Sequence, residues 1–277
     1  MATCSSSSAE GMPPRFSSVV VRERYSRIVD AKNRWEEQGF FLDESLENYD
    51  LEPIIYKRIN DLGWFCFARQ PARANLNWIM EFYANNADSD DTVTVRGRKV
   101  PGNSATINNI LELPNDSPNI YALIDILEDE DLDTIKDQLC EQGTEWNVKG
   151  KNPKTISCSH LQPEAKLWNT FVKRNLMPTS HNQTVDRTRL VLINTIITGY
   201  QFNVGEFITR ELSAACQNDK GILSFPCIIS ALCRRAAVPA YPADKYTIEK
   251  LGWTRKEYMR KMEVVLGHNT QKLGAAE

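Results

Sequence analysis

Four neighbouring carboxylates, Asp129, Glu130, Asp131 and Asp133, are the first residues whose types and spacing could do chemistry. Converging carboxylates hold the two metal ions of phosphoryl-transfer enzymes, so this group could collect a divalent cation weakly. A solvated acidic helix end explains the same run. No spaced acidic triad of a transposase or integrase accompanies it. The Asp-Thr-Gly and Asp-Ser-Gly of retroviral-type proteases are missing, and no paired aspartates lie in an apolar strand. Cysteine and histidine offer a second chemistry. Cys158 and His160 are two residues apart, His181 follows, and Cys216, Cys227 and Cys233 lie further on. Structural zinc sites use tight pairs such as Cys-x-x-Cys, and the seven cysteines contain neither such a pair nor a zinc knuckle. Cys227 and Cys233 sit in apolar helical context and read as small core residues. No spacing singles out a cysteine–histidine pair for nucleophilic catalysis, and no phosphate loop or dinucleotide fingerprint occurs. The expectation is no catalytic residue, no metal and no cofactor.

Basic side chains beside aromatic ones suggest a third chemistry. Arg255, Lys256, Arg260 and Lys261 lie with Trp253 and Tyr258 near the C-terminus, and such a set can grip a phosphate backbone and stack a base. An amphipathic terminal helix that docks Tyr258, Met262 and Val265 is the competing reading. Arg96, Arg98 and Lys99 form a basic turn between Thr92 and Gly102. They could contact phosphates or protect a sheet edge by charge. Arg96, Arg98, Lys99, Trp253, Arg255, Lys256, Arg260 and Lys261 are thus the candidate nucleic-acid-binding set.

These residues need a frame, and Pro163 to Arg235 reads as its centre. Pro163 opens a helix, where its missing N–H costs nothing, and Trp168, Phe171, Val172 and Leu176 give it one apolar face. Met177-Pro178 ends it. A second helix starts near Thr184, with Asp186 in its first turn. Leu190, Val191, Leu192, Ile193, Ile196 and Ile197 cover most of its circumference, which marks a buried helix, and Gly199 is its stop. Val204, Phe207, Ile208, Leu212 and Ala215 form the stripe of a third helix. A fourth runs from about Leu223 to Arg235. Short connections favour antiparallel neighbours.

Upstream, Val19 to Gln38 reads as a helix with Tyr25, Ile28, Val29 and Trp35 on one side. Leu51 to Leu62 and Ala72 to Ala84 read as helices separated by the apolar Gly63-Trp-Phe-Cys-Phe67. Thr92–Val95 against Arg98–Val100 is the best strand pair, turning at Gly97. Ser104 is expected to cap a helix carrying Ile107, Ile110 and Leu111. Tyr121–Leu127 and Leu132–Cys140 read as short helices. Thr254 and Glu257 have capping-box spacing for a last helix.

The fold class is therefore mainly α, a multi-helical globular domain with a small β hairpin near residues 92–100. Residues 1–18, Ser- and Pro-rich, are expected to be a disordered tail. An N-terminal helical part with the hairpin spans 19–145, and a helical core part with the C-terminal helix spans 159–267. Residues 141–158 are a candidate linker, with one continuous domain from about residue 51 as the alternative. A hydrophobic share of 42% and a charged share of 25% are ordinary for a globular chain. The net charge of -3 argues against a generally basic coat, but it conceals segregation. Between Glu112 and Glu145 stand 11 acidic residues and one lysine, a local charge of -10. Between Arg234 and Met262 stand eight basic and three acidic residues, a local charge of +5. Two solvated faces, touching each other or not, account for this. No signal-peptide run or membrane-spanning stretch is read, so an intracellular protein of nucleus or cytoplasm with reduced thiols is expected.

Several segments carry a family resemblance. Trp78-Ile-Met-Glu-Phe-Tyr-Ala-Asn, Val95-Arg-Gly-Arg-Lys-Val-Pro and Ile107-Asn-Asn-Ile-Leu-Glu-Leu-Pro are similar to the putative plant transposon protein domain. So are Trp168-Asn-Thr-Phe-Val-Lys-Arg-Asn-Leu-Met-Pro, Arg187-Thr-Arg-Leu-Val-Leu-Ile-Asn and Gly205-Glu-Phe-Ile. The resemblance covers roughly Leu51 to Met262. It implies an origin in transposon- or retrotransposon-derived plant genes and brings no catalytic residues with it. The expected function is a non-catalytic interaction or scaffold domain with protein partners or self-association. The alternatives are a nucleic-acid-binding module of a mobile element and the remnant of a metal-dependent nuclease or transposase.

Overall fold

The structure is a computed structural model that describes residues 16, 18–31, 37, 53–69, 71–86, 91–148, 154–179, 183–218 and 223–247. Among these it places eleven α-helices and two small antiparallel sheets. The helices are α1 Val19–Ala31, α2 Pro53–Leu62, α3 Phe65–Ala68, α4 Leu76–Asn85, α5 Ser104–Leu111, α6 Ile120–Ile126 and α7 Asp129–Leu139, followed by α8 Pro163–Asn175, α9 Arg187–Thr198, α10 Val204–Gln217 and α11 Pro226–Arg235. The strands are β1 Thr92–Val95, β2 Arg98–Pro101, β3 Thr155–Ser157 and β4 Thr184–Asp186. The mainly helical class and the hairpin agree with the sequence reading. No helix among the described residues is long and apolar enough to cross a membrane.

Helix α9 sits at the centre, as its all-round apolar pattern requires. Leu190, Leu192, Ile193 and Ile196 are fully buried, and α9 packs on α8, α7, α2 and β4. Asp186 is its N-cap rather than part of its first turn, accepting from the Arg189 amide at 2.9 Å. Gly199 closes it in the left-handed region at φ 77°, a conformation that glycine adopts without penalty. An aromatic knot joins α3 and α8 to the segment before α10. The Trp64 ring lies 5.2 Å from Phe67, 6.0 Å from Phe171 and 5.7 Å from Phe202. Burying such side chains stabilises the fold by roughly 1.5–3 kcal/mol each.

Several expected details change. Of the four helices from Pro163, α8 and α9 pack as neighbours in sequence, but α10 packs chiefly on α5, and α11 on α4 and α5. The α5–α10 seam explains this. Asn108 Oδ1 accepts from the Gly205 amide at 2.7 Å, and Asn108 Nδ2 donates to Asn203 Oδ1 at 2.9 Å. Helix α4 begins at Leu76 instead of Ala72, because Asn75 caps it by accepting from the Asn77 and Trp78 amides. Asn103, not Ser104, caps α5. Thr184–Asp186 is a strand paired with Thr155–Ser157, where a helix start and a loop were expected. In α1, Val21 and Ile28 turn inward while Val29 faces solvent, and Arg24 donates to the Cys216 carbonyl. The readings of Trp35 and of the helix after Thr254 lie outside the described residues.

Candidate interaction site

Helix α11 starts without a cap of its own. Its N-cap residue, Phe225, is left-handed at φ 54° and offers no side-chain acceptor, and Pro226 follows. The acceptor comes from far away in the chain. Glu37 takes the Cys227 amide at 2.9 Å and the Ile228 amide at 3.0 Å. A carboxylate there satisfies two orphan donors and meets the positive end of the helix dipole. Burial nevertheless pushes the Glu37 pKa up, against the lowering effect of those amide bonds.

Beside this junction lies a cavity of about 260 Å³. Its apolar walls come from Phe67 of α3, Pro71 and Ala72 of the following segment, Ile110 and Leu111 of α5, and Ile228 and Ala231 of α11. The extended backbone at Arg69 carries the chain away from α3 and opens this side. Small-molecule clefts usually measure about 300–1,000 Å³, so this one suits one or two side chains better than a cofactor. Arg69 and Arg234, both exposed, also line it. Arg234 Nη1 donates to the Arg73 backbone carbonyl at 3.2 Å. Among the described residues neither Arg69 nor Arg234 makes an ion pair. The Cys66 thiol here is not activated. Cys66 Sγ donates to the Ile110 carbonyl at 3.7 Å, and burial, helped by nearby Glu112, pushes its pKa up. The cavity is thus an apolar hole with a cationic rim.

The residues singled out in the sequence lie elsewhere. Arg96 is only 4% exposed. Its Nη2 meets Asp244 Oδ1 at 2.7 Å and Glu81 Oε1 at 3.1 Å, and its guanidinium stands 4.4 Å from the Tyr241 ring centroid. Burial disfavours that charge, but the bonds to Asp244 and Glu81 outweigh burial and raise the Arg96 pKa. Asp244, also hydrogen-bonded by the Tyr241 amide and Asn75, is drawn down to about 2 despite its burial. Arg96 therefore fastens the 239–247 segment across α4, where Lys245 O accepts from the Leu76 amide and Ala74 O from the Thr247 amide. Arg98 and Lys99 are exposed. Trp253, Arg255, Lys256, Arg260 and Lys261 lie outside the described residues, as does His181.

Of the acidic quartet, Asp129 pairs with Lys154 at 2.7 Å, Asp131 accepts from the Glu128 amide at 2.9 Å, and Asp133 accepts from the Trp146 indole at 2.6 Å. Cys158 accepts from Asn169 Nδ2 at 3.4 Å, and Cys233 is buried with its pKa pushed up to about 12. Among the described residues no group of three or more His, Cys, Asp or Glu is arranged to hold a metal. A second cavity, of about 400 Å³, is lined by Asp91, Glu206, Thr209, Arg210 and Ser213 of mixed charge. Buried Asn86 reaches it with an unpartnered Oδ1 while its Nδ2 lies 3.4 Å from Cys216 Sγ.

Sequence reading missed Glu37, Arg69 and Arg234. One signal existed: Phe225-Pro226 is a helix start with no capping side chain, so the cap had to come from elsewhere. A family model described as "Putative plant retrotransposon-related domain" matches residues 60–239, the stretch that holds every pocket residue named above except Glu37. Searches of curated proteins and of solved structures find no match.

Proposed function

This chain belongs to the plant retrotransposon-related domain family, and we propose that it is a non-catalytic interaction domain that holds protein partners through the pocket between α3, α5 and α11. The apolar floor and cationic rim of that pocket carry the reading. Contiguous apolar surface ringed by polar groups is what protein recognition uses. The test is selection from a random peptide library on the full chain and on an Ala231→Trp variant that fills the pocket, with thermal melts to show that both are folded. A sequence consensus recovered from the wild type and lost in the variant supports the reading. No consensus, or one indifferent to the filled pocket, overturns it.

A second reading, a nucleic-acid module, has one observation in its favour. Strand β2 packs against α11, so exposed Arg98 and Lys99 stand on an element adjoining exposed Arg234 and Arg235. It predicts binding to single- or double-stranded DNA or to RNA that weakens steeply with salt. Alanine at Arg98, Lys99, Arg255, Lys256, Arg260 and Lys261 should abolish that binding. Absence of binding at low salt removes this reading.

A further inference from the structure

Resting on the pocket reading, we propose that the arginine-rimmed pocket receives Ile126 and its acidic flank from a second copy of this chain. Ile126 ends α6 and is 73% exposed, the highest exposure recorded among the large apolar side chains of the described residues. Asp125, Glu128, Asp129, Glu130 and Asp131 around it are exposed as well. The end of α6 is fixed, because Arg187 Nη2 donates to the carbonyls of Ile124 and Leu127. The chain thus presents one apolar side chain on a rigid helix end inside its most acidic stretch. It also presents one apolar hole rimmed by Arg69 and Arg234.

The two surfaces match in polarity and in charge. No pocket residue comes from the segment 113–148, so knob and hole are separate patches of one molecule. A patch that fits a different patch on the next copy makes a head-to-tail contact, which closes into a ring or runs on as an open chain. One side chain per contact makes each link weak, and the exposed charges make it sensitive to salt.

The test is sedimentation velocity of the full chain over a concentration series at low and high salt. The variants are Ile126→Asp and the double Arg69→Glu/Arg234→Glu, all at exposed positions. The proposal expects concentration-dependent assembly of the wild type, weakened by salt. It expects each variant to raise the apparent Kd at least about tenfold, since burying an isoleucine is worth more than that factor. An equimolar mixture of the two variants keeps one intact knob and one intact hole, and should form a heterodimer that grows no further. A wild type that stays monomeric, or assembly untouched by Ile126→Asp, overturns the proposal. If the library selection still yields a pocket-dependent consensus in that case, the pocket reading survives and only the second copy is wrong.

Discussion

Arg96 carries the clearest conflict between residue type and position. It and Gly97 are both left-handed, at φ 48° and 75°, the combination that a two-residue type I′ hairpin turn requires. A non-glycine residue there is strained, and the buried bonds to Glu81 and Asp244 offset the strain. Arg96→Ala leaves two buried carboxylates without a cation and should cost about 3–5 kcal/mol in denaturant unfolding. Asp244 adds a pH dependence. Its folded pKa of about 2 lies below the ordinary aspartate value of 3.8, so its contribution is present above pH 3.8 and is lost as the pH falls towards 2. The stability gap between the wild type and Asp244→Asn should close over that window. Glu37 runs the other way: a pKa raised from 4.5 makes its contribution fullest below that pH and lost as the pH rises. Removing its cap with Glu37→Ala should cost about 0.5–2 kcal/mol. None of this was legible in the sequence. The partners of Arg96 lie 15 and 148 residues away, and a basic residue in a glycine turn looks the same whether it faces solvent or a buried acid.

Elements were more legible, for reasons that differ among them. Helices α8 and α9 stand close to where periodicity places them, because Pro163 and Gly199 punctuate them and their apolar residues recur at helical spacing. The hairpin was readable from alternating Val93 and Val95 and from Gly97. The second sheet was not. Thr155–Ser157 and Thr184–Asp186 are three residues each, too short for a period-two pattern, and Asp186 serves as both strand end and helix cap. Packing partners were illegible too, since α10 chooses α5 through an asparagine network instead of its neighbour in sequence. Gly205 is the point of closest approach in that seam. A Cβ there would stand 2.5 Å from Asn108 Oδ1 and also meet the Ser104 carbonyl. Gly205→Ala should therefore destabilise by about 1–3 kcal/mol, seen as a thermal midpoint lowered by several degrees.

At the scale of the molecule, the proposed contact between copies gives the segregation of charge a use. The acidic stretch from Glu112 to Glu145 presents Ile126, and the basic residues Arg69 and Arg234 line an apolar hole. Composition reveals the segregation but not that a cavity forms between α3, α5 and α11, which needs three segments from distant parts of the chain. The family assignment supplies the setting and leaves the chemistry to the fold. The most direct measurement is the methyl NMR spectrum of Ile110, Ile126 and Ile228 in the full chain as it is diluted. The account predicts that all three signals move together with concentration, and that Ile110 and Ile228 stop moving in Ile126→Asp. Signals of Ile110 and Ile228 that ignore both concentration and the substitution would contradict it.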